Sequence, residues 1–92
     1  MTLNEARNEI DKIDDKLLRL LLRRLELSKA IGTIKKEGNM PTFDQTREDE
    51  IFDRLNATSM EKYEYIEPIF KEILIASKNV QCVLCNFSKQ KP

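Results

Sequence analysis

"FDQTREDEIF", residues 43–52, sets Asp44, Arg47 and Glu48 at spacings i, i+3 and i+4 before Ile51, Phe52 and Leu55 take over the same helical face. Arg24 interrupts an otherwise apolar stripe, and Lys35 follows it eleven residues later. Eleven residues are about three helical turns, so these two cations point nearly the same way, about 16 Å apart. Ser77 and Gln81, one turn apart, add neutral donors. Charges inside a helical bundle are costly unless paired, and an anionic ligand can be the missing partner. Singly, each residue has a plainer role. Lys35 in a last turn, and Asp44 and Glu48 near a first turn, complement a helix dipole. Arg47 could form an exposed pair, Ser77 could bond back to its own helix, Gln81 could sit at a boundary, and Arg24 could pair with Glu48.

Much other chemistry is closed to this chain. It has no histidine, which removes the commonest general base, the Ser–His and Cys–His nucleophile pairs and imidazole metal ligands. Its only cysteines, Cys82 and Cys85, lack the two further soft ligands of a closed zinc site and the βαβ setting of a thioredoxin-like motif. They read as small residues on a helix, and neither a metal nor a cofactor is expected. The 16 Lys+Arg balance 16 Asp+Glu, so no basic excess favours nucleic acid or a membrane surface. "MTLNEARNEI" has no basic head followed by an apolar run, and no 18-residue apolar stretch exists. A cytoplasmic location is expected.

The elements that must position these side chains are helical. Leu3, Ala6, Ile10, Ile13, Leu17, Leu20, Arg24, Leu27, Ile31 and Ile34 alternate spacings of three and four without a slip. That is a heptad-like seam on one very long helix, about 3–37. Gly38 and Asn39 suit a left-handed cap, and Pro41 prevents continuation. "TFDQ" has the form of a capping box with Thr42 as N-cap, which predicts a second helix over about 43–57. A third, about 64–87, carries Ile66, Ile69, Phe70, Ile73, Ser77, Val80, Gln81, Leu84 and Phe87 on one face. Pro68 is comfortable only in a first turn, which sets that start near 64. "TSME" at 58–61 offers an earlier capping box instead, and the tail "SKQKP" reads as frayed. The 92 residues suffice for a single all-α domain with a modest core, one that gains from self-association. Arg7 bears on this. On a straight helix it lies about 42 Å from Lys35, so one chain cannot bring both to a compact site. A second copy running antiparallel along the seam could, which implies a homodimer with two equivalent sites.

"ARNEIDKIDDKLLRLLLRRLELSKAIGTIK", "PTFDQTREDEIFDRL" and "IFKEILIASKNVQ" resemble, in order, the three helices of the all-α chorismate mutases. The likeness covers roughly residues 3–85. It rests on a combination: an early Arg, a second Arg with a Lys eleven later, D-x-x-R-E, and a late S-x-x-x-Q. The resemblance implies an intertwined helical-bundle homodimer that converts chorismate to prephenate in phenylalanine and tyrosine biosynthesis. It further implies that Arg24 grips a substrate carboxylate, with Arg47 adding positive charge, and that Arg7 of the partner subunit completes the site. Lys35 and Gln81 would donate to the breaking ether oxygen. Glu48, helped by the backbone at Asp44, would receive the ring hydroxyl, and Ser77 would contact the ring carboxylate. Lys78 departs from the pattern, standing where family members often have an apolar residue. Two other readings remain: an isochorismate pyruvate lyase on the same fold, and a noncatalytic helical dimerisation module.

Overall fold

The computed structural model describes the backbone of residues 1–90 and the side chains of residues 1–82. The seam residues Leu84 and Phe87, Cys85 and the tail 88–92 therefore lie outside the described side chains. The chain is all-α, with no strand among the described residues: α1 spans Leu3–Glu37, α2 Gln45–Ser59 and α3 Tyr63–Gln90, with one 3-10 turn at Met60–Lys62.

Both ends of α1 are closed by local chemistry. At its start Glu5 N donates to Thr2 Oγ1 at 3.1 Å while Thr2 N donates to Glu5 Oε1 at 3.3 Å, a reciprocal capping box. At its end Met40 N donates to the Lys35 carbonyl (2.7 Å) and Asn39 N to that of Lys36 (3.2 Å). This is a Schellman motif, and Asn39 (φ 53°) takes the left-handed position, not Gly38 (φ −89°). Lys35 and Lys36 in the last turn favour the helix dipole.

Two sequence expectations shift here. The second helix begins at Gln45, two residues later than the spacing predicted, because Asp44 is its N-cap: the Asp44 carboxylate accepts Arg47 N at 3.0 Å. A carboxylate at a helix N-terminus gains both a hydrogen bond and a favourable dipole interaction, which a threonine hydroxyl two residues earlier does not match. At the other junction "TSME" forms no capping box. Thr58 and Ser59 end α2, and Ser59 Oγ donates back to the Leu55 carbonyl at 2.6 Å. Pro68 is then the sixth residue of α3, past its first turn. Pro68 and Glu64 are both exposed, so water can reach the carbonyl that loses its helical donor.

α3 packs against both α1 and α2, whereas α1 and α2 make no close backbone approach to each other. A gap between α1 and α2, floored by α3, is built into this arrangement. The helices approach closely at Gly32: a Cβ placed there would sit 2.9 Å from Gln81 Cα and 3.2 Å from its carbonyl oxygen. One turn earlier on each helix the hydroxyls of Ser28 and Ser77 are hydrogen-bonded. The pairs 28/77 and 32/81 show α1 and α3 running in the same direction, in contact where Ser28, Gly32 and Ser77 are too small to hold them apart.

The apolar seam of α1 is not covered within the chain. Leu17, Leu20, Ile13, Ile10 and Ile34 are each about half exposed or more, and only Ile51 and Leu74 are buried large apolar residues among those described. The radius of gyration is 16.8 Å, against about 12 Å expected for a compact domain of this length. α1 alone, at 1.5 Å per residue about 52 Å long, accounts for the longest dimension of 54 Å.

Helix propensity alone predicts that Gly32→Ala stabilises the protein by about 1 kcal/mol. The 2.9 Å approach of α3 backbone predicts the opposite sign. Overpacking against a backbone that cannot rotate away should cost about 1–3 kcal/mol. The expected outcome is a lower melting temperature by circular dichroism at fixed protein concentration. A rise would refute the contact.

Candidate active site

The gap between α1, α3 and the first turn of α2 is a cavity of about 350 Å³, within the range of small-molecule sites. From α1 it is lined by Arg24, Ser28 and Lys35, with Leu27 and Ile31 beside them. Thr42, Asp44, Arg47, Glu48 and Ile51 line it from the connection and α2; α3 contributes Leu74, Ser77, Lys78 and Gln81. Every residue singled out in the sequence is therefore at this cavity except Arg7, which is exposed near the opposite end of α1.

A single directed hydrogen-bond line crosses the cavity wall. Lys35 Nζ donates to the Thr42 carbonyl at 2.8 Å and to Gln81 Oε1 at 3.1 Å. An ammonium cannot accept, so the Gln81 amide must turn its oxygen toward Lys35 and its nitrogen away. That nitrogen donates to Ser77 Oγ at 3.4 Å. Ser28 Oγ donates to the Arg24 carbonyl at 3.0 Å, which spends its one proton, so Ser77 is the donor in the Ser77–Ser28 hydrogen bond. Ser28, Ser77 and Gln81 are all less than a tenth exposed. No buried side-chain nitrogen or oxygen among the described residues lacks a partner, as burial of polar groups demands. By count, one N–H of Lys35 and one of Gln81 remain for a ligand.

The charges divide into paired and unpaired. Glu48 Oε2 lies 3.0 Å from Lys78 Nζ, and that ammonium also sits 5.1 Å from the centroid of the Phe43 ring. Glu48 is thus taken by Lys78 and does not pair with Arg24. Among the described residues no carboxylate lies within ion-pair distance of Arg24. Burial lowers the pKa of its guanidinium from the ordinary value, and the nearby charge of Arg47 lowers it further, as expected for a cation lacking a counter-ion. Arg47 reaches only Glu50, at 3.7 Å and well exposed, a contact worth little. Four cations and two carboxylates face the cavity, a net charge of +2. Asp44, whose carboxylate caps Arg47 N, also has its carbonyl engaged by Glu48 N at 3.1 Å.

Sequence reasoning missed Ser28, Gly32 and the Thr42 carbonyl. A signal for the first two was present: a serine and a glycine four residues apart inside a leucine-rich helix, where neither is favoured without a packing reason. No sequence signal marks a backbone carbonyl. Among the described residues no three acidic or sulfur side chains converge as metal ligands, and Cys82 is a half-buried free thiol. No helix among them is long and apolar enough to cross a membrane.

Known proteins resemble this chain in sequence and fold. The chain is 39% identical over 85 residues to the bifunctional chorismate mutase/prephenate dehydratase of Aquifex aeolicus, an alignment covering 86% of this chain and 24% of that protein. It is 42% identical over 53 residues to the chorismate mutase of Methanocaldococcus jannaschii, covering 58% of this chain and 54% of that one. The chain thus spans a quarter to about half of the lengths of these two relatives. A solved structure of a conserved hypothetical protein from Pyrococcus furiosus superposes with a TM-score of 0.73 at 47% identity, over 88% of this chain and 96% of that one. The family described as chorismate mutase type II matches residues 6–82, from the helix that carries the unpaired arginine through to Gln81, and the chain belongs to that family.

Proposed function

We propose that this chain is an isomerase that rearranges chorismate to prephenate, within phenylalanine and tyrosine biosynthesis. The observation that carries the reading is a cavity of net charge +2 in which Arg24 is unpaired while Lys35 and Gln81 are locked to each other. The reaction is an intramolecular [3,3] shift. The ether C–O bond breaks as a C–C bond forms, and no proton, nucleophile or electron carrier is required. The catalyst needs two things: the dianion held with its enolpyruvyl chain folded over the ring, and donors fixed where negative charge grows on the ether oxygen.

The residues divide accordingly. Arg24, with Arg47 beside it, binds one carboxylate; the guanidinium fork suits that task. Lys35 and Gln81 each keep one N–H, and these donate to the ether oxygen. Their mutual bond, and the bonds from Lys35 to Thr42 and from Gln81 to Ser77, hold both side chains before substrate arrives. Ser77 contacts the ring carboxylate, and Glu48 with the backbone at Asp44 receives the ring hydroxyl.

The working unit is a homodimer in which the partner subunit's Arg7 completes each site. Three observations support it: the exposed seam of α1, the extended shape, and an accessible surface of 7609 Å². A compact monomer of this mass exposes roughly 5,500 Å². The excess, roughly 2,000 Å² per chain, is of the size that permanent interfaces cover. The chain acts as one domain in the cytoplasm, consistent with a lack of membrane-spanning helices among the described residues.

Loss of chorismate absorbance tests the activity, and product identification with chorismate and isochorismate separates a mutase from a pyruvate lyase. Arg24→Ala and Lys35→Ala should each lower kcat/KM by at least about 100-fold with helical content retained; an inactive wild-type protein would leave a dimerisation module. Gln81 carries no titratable proton, so the rate should be flat around neutrality. A profile that follows one carboxyl titration there would remove the amide from the mechanism. Mixing Arg7→Ala and Lys35→Ala chains leaves one intact site per mixed dimer, with about half the wild-type rate if the sites are independent. No recovery would mean that Arg7 is not shared.

A further inference from the structure

Lys78 is the one charged residue at the cavity that the roles above leave unused. Its ammonium lies 3.0 Å from Glu48 Oε2 and 5.1 Å from the Phe43 ring, and both members of the ion pair are largely shielded, with side-chain exposures of 34% and 21%. The pair joins α3 to the first turn of α2 across the cavity.

We propose that Lys78 is a positioning residue that acts through Glu48. By engaging one carboxylate oxygen it fixes the rotation of Glu48 and leaves Oε1 as a single, oriented acceptor for the ring hydroxyl of the substrate; this rests on the mutase reading above. Three physical reasons support it. A bare carboxylate in a site for a dianion repels the ligand, and an adjacent ammonium cancels that repulsion without removing the acceptor. A carboxylate held at one oxygen is a directional acceptor, whereas a free one rotates and must be ordered on binding. Phe43 holds the ammonium from a second side, so Lys78 is anchored independently of ligand. The consequence is selectivity: a site organised around a hydroxyl rejects the analogue that lacks it, because its acceptor is then left unpaired.

The test is a double-mutant cycle on kcat/KM for chorismate and for the analogue without the ring hydroxyl. Lys78→Met should lower kcat/KM for chorismate by about tenfold, within the range of directly coupled pairs, chiefly through KM, and should lower that of the analogue, which keeps both carboxylates, by a clearly smaller factor. In a Glu48→Gln background the same substitution should change chorismate turnover by less than about twofold. Lys78→Arg should restore most of the preference. An equal loss in both backgrounds would show Lys78 touching the substrate directly. A fall in melting temperature with unchanged KM, kcat and selectivity would show a structural tie. Either result overturns the proposal, and an active wild-type protein in those same assays keeps the mutase reading intact. No turnover by the wild type would remove both.

Discussion

The approach of α1 to α3 at Gly32 is the constraint on which the rest depends. Without a side chain at that position the two backbones meet at a separation that any Cβ would prevent. At that separation Ser28 reaches Ser77, and Lys35 reaches Gln81. The polar line so formed begins and ends on backbone carbonyls, Thr42 at one end and Arg24 at the other. Each interior member has its donors and acceptors assigned by its neighbours, so the Gln81 amide has one stable orientation. Such a line in a low-dielectric setting is costly if any member fails and rigid if none does. The chain's folding free energy therefore organises the donors before any ligand binds.

That choice has an energetic consequence. The best-buried residues described include Ser28, Ser77 and Gln81 alongside just two large apolar ones, Ile51 and Leu74. Among the described residues the buried positions are thus shared between polar and large apolar side chains, and much of the usual hydrophobic stabilisation must come from elsewhere. The uncovered seam of α1 is the available source. Leu27 and Ile31 belong both to that seam and to the cavity wall. In the proposed dimer, covering the seam and enclosing the cavity would thus be one event, and the same burial that stabilises the fold would exclude water from the site.

Much of this was legible in the residues. The three-and-four spacing from Leu3 to Ile34 foretold the long helix, since a periodicity held over many turns has one reading. Asp44, Arg47, Glu48, Ser77 and Gln81 stood out because each breaks an apolar stripe, and the structure brings them to the same cavity as Arg24 and Lys35. What stayed hidden depends on contacts between elements. Thr42 and Asp44 are both good N-caps; the chain uses the Asp44 carboxylate, and the Thr42 carbonyl instead accepts from Lys35, a contact between elements that no local pattern announces. Gly32 looks like a local weakness until the neighbouring helix is present. The Glu48–Lys78 pair links residues thirty positions apart on different helices, which no spacing rule encodes.

The charges at the cavity follow a related logic. Glu48 and Lys78 cancel, and Asp44 is directed to the first amides of α2, where the helix dipole also uses its charge. The remaining cations, Arg24, Lys35 and Arg47, thus face the cavity with little local compensation. Burial lowers the pKa of Arg24, and the neighbouring charge of Arg47 lowers it further, so both burial and like charge disfavour its cation. In the proposed function, the dianion would supply Arg24 and Arg47 with the counter-charge that the chain does not, and part of its affinity would come from there. A neutral or singly charged ligand of the same shape would supply less of it. Under the proposed function, selection for two negative charges would follow from a cavity of net charge +2 in which, among the described residues, Arg24 has no carboxylate partner.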